Sequence, residues 1–130
     1  MSLNDPLANL LSQIVAYEKA GKKELVTKST SKLIKKILTI MQDNMYIGSF
    51  EETVDTKGNV LKIHLLGKIN NTGVVKPRFS VKSDGFEKFE KRYLPAKDFG
   101  LLIVSNSSGL MTHEEAKKKN IGGKLVSYCY

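Results

Sequence analysis

A chain of 130 residues, 41% hydrophobic and 26% charged, can form one compact domain or two small ones and is too balanced for global disorder. Lys and Arg number 21 against 13 Asp and Glu, a net charge of +8 that favours a polyanionic partner, nucleic acid foremost. The excess is spread, 10 against 7 over residues 1–70 and 11 against 6 over 71–130, so there is no basic tail, and solvated surface lysines are the plainer alternative. No run is apolar for long enough to span a bilayer, and MSLNDPLANL has no basic stretch ahead of an apolar one, so neither a membrane partner nor a secretory leader is expected. The lone Cys129 sits in an apolar run and reads as a packed thiol, which fits a cytoplasmic protein.

In chain order, Asp5 suits an N-cap and Pro6 the first helical position. Leu7, Leu10, Leu11, Ile14 and Tyr17 then recur at helical spacing up to Gly21. A short strand is predicted at Leu25–Lys28. Ser31 can cap a second helix with an apolar stripe of Leu33, Ile34, Ile37, Leu38 and Met41, and with Lys32, Lys35 and Lys36 on its other face. Two strand-like runs, Ile47–Val54 and Val60–Leu66, flank the turn-rich Asp55–Asn59 and read as a hairpin.

The polar segment GKINNTG, residues 67–73, reads as a linker between an N-terminal subdomain (1–66) and a C-terminal one (74–130). The second half opens with a strand at Val74–Val81 interrupted by Pro77. Ser83–Pro95 reads as irregular, charged and aromatic. A buried strand, Phe99–Ser105, leads into a loop at Asn106–Met111. Thr112 and Glu115 have capping-box spacing for a short helix, Gly122-Gly123 is expected to end it, and Leu125–Tyr130 forms a last strand. The fold class is α+β: helix-strand-helix-strand-strand, then a small sheet with one short helix.

Catalytic and metal motifs fail on spacing. His113-Glu114 is followed by Lys117 where a zinc-binding helix needs a second histidine, and His64 reads as a strand-face residue. Gly123-Lys124 lacks the earlier glycine and the Ser/Thr of a phosphate loop. A hydrolase using Ser105, Ser107 or Ser108 with His113 and Asp98 lacks the G-x-S-x-G elbow. No catalytic residue, metal or cofactor is expected. What remains is a short polar loop on a buried strand, with Lys117, Lys118 and Lys119 close behind it. Hydroxyl and amide groups there suit the shallow minor groove of A-form RNA and its 2′-hydroxyls. An ordinary polar loop with a capped helix is the alternative.

The run VSNSSGLMTHEEAKKKNIGGKLVSYCY resembles the C-terminal signature of the small ribosomal subunit protein eight family: a Ser/Thr loop, then Gly109, Leu110, Met111, Thr112, Ala116, Gly122, Gly123 and a terminal aromatic, Tyr130. DPLANLLSQI, KSTSKLIKKIL and MQDNMYIGSFE resemble the family's opening elements, and LLGKIN, KPRF and RYLPAKDFGLLIVS its archaeal and eukaryotic branch. Two positions depart from the family: Asn106 stands mid-loop where threonine is usual, and Lys124 follows Gly-Gly where bacterial relatives carry glutamate. The resemblance implies a structural constituent of the small subunit, a monomer outside the ribosome. It would bind a helical element in the central domain of small-subunit ribosomal RNA, with neighbouring ribosomal proteins as further partners. A repressor that binds a messenger-RNA mimic of that site is the alternative. The candidate RNA-binding residues are Ser105, Asn106, Ser107, Ser108, Gly109, Leu110 and Met111, with Asp5, Pro6, Ser31, Lys32, Lys35 and Lys118.

Overall fold

Proline lacks the backbone donor that a helix's first turn leaves idle, and the first helix, α1 (Pro6–Lys19), begins on Pro6. Leu7, Leu10, Leu11 and Ile14 form its buried stripe. Gly21 stops it in the left-handed conformation (φ +74), and Lys22 N–H donates to Tyr17 O at 3.0 Å to close the cap. The computed structural model describes residues 6–28, 31–56, 58–75, 78–96 and 99–130; the proposed cap Asp5 and the strand-breaking Pro77 lie outside them.

The second helix, α2 (Lys32–Asp43), is capped as expected: Ser31 Oγ accepts the Ile34 N–H at 3.2 Å. Its stripe of Ile34, Ile37, Leu38 and Met41 is buried. A second left-handed cap ends it, here on Met45 (φ 65), with Tyr46 N–H donating to Met41 O at 2.9 Å. β1 (Glu24–Thr27), β2 (Ile47–Asp55) and β3 (Gly58–Leu65) form an antiparallel sheet in the order β1-β3-β2. Period-two alternation on β3 turns Leu61, Ile63 and Leu65 inward. α1 packs beside β1 and α2 beside β2, so the helical stripes and the inner strand residues make one core. The Glu18 carboxylate accepts from Gly67 N–H (3.2 Å) and Ile69 N–H (3.1 Å), so the start of the segment read as a linker is strapped to α1, with Ile69 buried.

Packing divides the chain into two units, 1–72 and 73–130. The second unit's sheet has the order β4-β8-β6-β7, with β4 (Thr72–Val74), β6 (Leu101–Asn106), β7 (Gly109–Thr112) and β8 (Gly123–Cys129). A short β5 (Ser80–Val81) also pairs with β8. The strand predicted over Val74–Val81 is therefore two pieces against one neighbour. Central β6 buries Leu101, Leu102, Ile103 and Val104 in succession. Cys129 is a packed thiol, fully buried.

Two local expectations are overturned. Ser83–Pro95 is not irregular: it holds α3 (Phe86–Tyr93), which buries Phe86 and Glu90. Gly122-Gly123 does not end the last helix, α4 (His113–Lys118). Asn120 does, at φ 56, with Ile121 N–H donating to Ala116 O at 3.0 Å. The glycines serve close approach instead. A Cβ on Gly122 would collide with Val81 O, and one on Gly123 would lie 2.6 Å from both Ser105 O and Val104 Cγ1.

Candidate nucleic-acid interface

The predicted loop after β6 is a tight hairpin. β6 and β7 pair through to Asn106↔Gly109, leaving only Ser107 and Ser108 as the turn. Gly109 takes φ +112, which a residue with a Cβ rarely adopts, and so lets β7 start at once. Asn106 Oδ1 accepts the Ser108 N–H at 2.9 Å across the turn. Its Nδ2 points at Met111 Sδ at 3.4 Å. The asparagine that departs from the family loop therefore holds the turn shut from inside.

The candidate residues separate by exposure. Ser107 and Ser108 are exposed; Ser105, Asn106, Gly109 and Leu110 are half-buried. Met111 is buried and belongs to the unit's core with Leu102, Val104 and Leu125, so it supports the turn from beneath. Strand register also places Lys124 directly across from Ser105, an exposed cation that sequence reasoning missed. Its position depends on a bulge in β8, where pairing shifts between Ile103↔Ser127 and Val104↔Leu125, and no sequence motif announces that bulge. Lys118 is exposed in the last turn of α4.

Beneath the hairpin lies a buried polar anchor. Thr112 caps α4 by accepting the Glu115 N–H at 3.3 Å. His113, fully buried, accepts the Leu102 N–H on Nδ1 at 3.0 Å and so ties α4 to β6. The Glu90 carboxylate lies 2.7 Å from His113 Nε2 and 2.9 Å from Lys117 Nζ. The approach to Nε2 is off the N–H direction, so the short distance is an electrostatic contact without an aligned hydrogen bond. Burial pushes His113 below the ordinary histidine pKa, against the upward pull of Glu90, and the ring is neutral at neutral pH. For Glu90, burial pulls upward, but the Lys117 hydrogen bond and the neighbouring positive charge outweigh it and hold the carboxylate ionised. His113 is a structural bracket.

In the first unit, Ser31 spends its hydroxyl on the α2 cap, while Lys32 is exposed in the first turn. Lys35 is half-buried and paired: its Nζ lies 2.7 Å from Glu52 Oε1, and Asn59 Nδ2 donates to Glu52 Oε2 at 3.0 Å. That lysine, with its hydrogen bond, leads the causes that lower the Glu52 pKa. Pro6 is exposed at the start of α1.

A positively charged α+β protein that presents short hydroxyl side chains on a locked hairpin, with lysines on the neighbouring strand and helix, is built to bind a polyanion. Residues 5–130 match the family described as Ribosomal protein S8, and the chain belongs to that family. It is therefore an rRNA-binding ribosomal protein of the small subunit, a component of a ribonucleoprotein that acts in translation.

Proposed function

We propose that the Ser105–Met111 hairpin reads a helical element in the central domain of small-subunit rRNA, and that this binding supports subunit assembly. The observation that carries the reading is the two-residue turn closed by Asn106, which fixes the backbone that carries the exposed Ser107 and Ser108. Such preorganisation limits the entropy lost on binding. Met111 acts through packing, and Lys124 and Lys118 supply phosphate contacts beside the turn. In this reading the RNA-binding subdomain is 74–130, with 67–73 as the linker. Lys32 is the auxiliary contact from the first unit, while Lys35 is committed to Glu52. The chain binds as a monomer, and its LLGKIN, KPRF and RYLPAKDFGLLIVS segments support the archaeal and eukaryotic branch. The test compares the cognate rRNA helix with a DNA duplex of the same sequence. Strong preference for RNA is expected, because 2′-hydroxyls and A-form shape are the features this hairpin fits; equal affinity overturns the proposal.

A further inference from the structure

Residues 78–93 carry a surface that the hairpin does not use. Arg78, Lys82, Lys88, Lys91 and Arg92 are exposed, against two exposed acids, Asp84 and Glu87. Among the described residues no carboxylate pairs with any of the five cations; Glu90, the remaining acid of α3, is turned inward onto Lys117 and His113. Helical spacing puts Lys88 and Arg92 one turn apart, and likewise Phe89 and Tyr93. The aromatic rings form two groups, Phe79 with Phe89 and Tyr93 with Tyr128 and Tyr130. Phe79 and Phe89 lie 5.4 Å apart, Tyr93 and Tyr128 5.5 Å, and Tyr128 and Tyr130 6.3 Å. Arg92 bridges the two groups, with Cζ 5.3 Å from the Phe79 centroid and 5.7 Å from that of Tyr93, and Lys88 Nζ stands 6.0 Å from Phe89. The half-buried rings are anchored on the unit's core, so they hold the exposed guanidinium from beneath.

We propose that this face binds a single-stranded RNA segment, a base stacking on the Arg92 guanidinium backed by Phe79 and Tyr93, with Lys88 and the adjacent cations on its phosphates. Planar cations and aromatic rings offer their faces to bases that are out of a helix, and duplex RNA presents no such base face. An acidic protein segment would be served by charge alone and would gain nothing from a ring-backed planar group. The surface is chemically distinct from the hairpin, whose short hydroxyls suit a groove.

The test uses the full chain and a fluorescent oligoriboadenylate, with heparin as the polyanion control. Arg92→Ala should weaken oligonucleotide binding by about tenfold while changing heparin binding far less. Arg92→Lys keeps the charge and should recover only part of that loss. Ser107→Ala with Ser108→Ala should leave this affinity unchanged. Affinity within twofold of the parent for Arg92→Ala, or full recovery by Arg92→Lys, overturns the proposal; the latter marks a charge-only surface of the kind an acidic protein segment would use. If circular dichroism shows Arg92→Ala to be unfolded, photocrosslinking of the unaltered protein to an oligoriboadenylate carrying one 5-iodouridine decides. A crosslink to Phe79 or Tyr93 is expected, and its absence overturns the assignment. Because the probe contains no double helix, failure here leaves the hairpin reading standing.

Discussion

Gly123→Ala probes the joint on which the hairpin rests. The added carbon would lie 2.6 Å from Ser105 O and from Val104 Cγ1, and 3.1 Å from Asn106 Cβ, where ordinary contact begins near 3.4 Å. One of these neighbours is strand backbone, and Val104 is fully buried, so neither can swing aside. Overpacking of this kind costs roughly 1–3 kcal/mol. Parting β8 from β6 at Ser105↔Lys124 also weakens about one backbone hydrogen bond, worth roughly 1 kcal/mol net. The expected loss, about 2–4 kcal/mol, is a large share of the roughly 5–15 kcal/mol that stabilises a typical domain. Guanidinium chloride unfolding followed by far-UV circular dichroism would measure it as a lower midpoint at unchanged slope. Gly85→Ala is the control: its Cβ would meet nothing nearer than Val81 Cγ1 at 3.3 Å and Lys82 O at 3.5 Å, and less than about 1 kcal/mol is expected. A Gly123→Ala variant within about 0.5 kcal/mol of the parent would refute the close-approach argument.

Stability should fall on mild acidification. The folded pKa of His113 is depressed below 6.5, so as pH drops through that value the unfolded chain binds a proton that the native state excludes. The native advantage is complete above about 6.5 and drains at up to about 1.4 kcal/mol per pH unit. Glu90, depressed below 4.5, extends the loss at lower pH. Denaturation midpoints at neutral and mildly acidic pH check this, and His113→Asn should flatten the first part of the decline. Met45→Gly should stabilise by roughly 0.5–1 kcal/mol, because a Cβ at φ 65 is strained and the exposed methionine loses little packing; an unchanged or lower melting temperature counts against it. Lys32→Ala should flatten the salt dependence of rRNA binding by about one counterion, and Lys35→Ala by less, since Lys35 already faces Glu52; equal slopes would sink the distinction.

What the sequence revealed and what it hid follow one physical line. α1 and α2 were legible because their signals are local: Pro6 at the start, Gly21 at a left-handed stop, the Ser31 cap and apolar stripes at helical period. α3 was missed because a charged residue, Glu90, occupies a position where periodicity demands an apolar one. The partners that make this tolerable, Lys117 and His113, lie far along the chain. The hairpin read as a loop because neither turn residue is Gly or Asn; the work is done one residue out, by the Asn106 side chain and the Gly109 backbone. Gly122-Gly123 looks like a helix stop in one dimension and serves strand contact in three. Ser105–Ser108 stood out as a candidate by its chemistry, but the pairing of Lys35 with Glu52 and the placement of Lys124 opposite Ser105 depend on β-register, which residue types alone do not determine.

On the proposed reading, the locked turn supplies specificity while the lysines supply attraction. Filter binding of the Ser107→Ala, Ser108→Ala double variant to the cognate rRNA helix and to a scrambled RNA of equal length tests it most directly, with circular dichroism as the check on folding. Each lost interface hydrogen bond should cost roughly 1–3 kcal/mol on the cognate RNA. The scrambled RNA, held mainly by electrostatics, should bind as before. Equal losses on both RNAs, or no loss on either, would contradict the account.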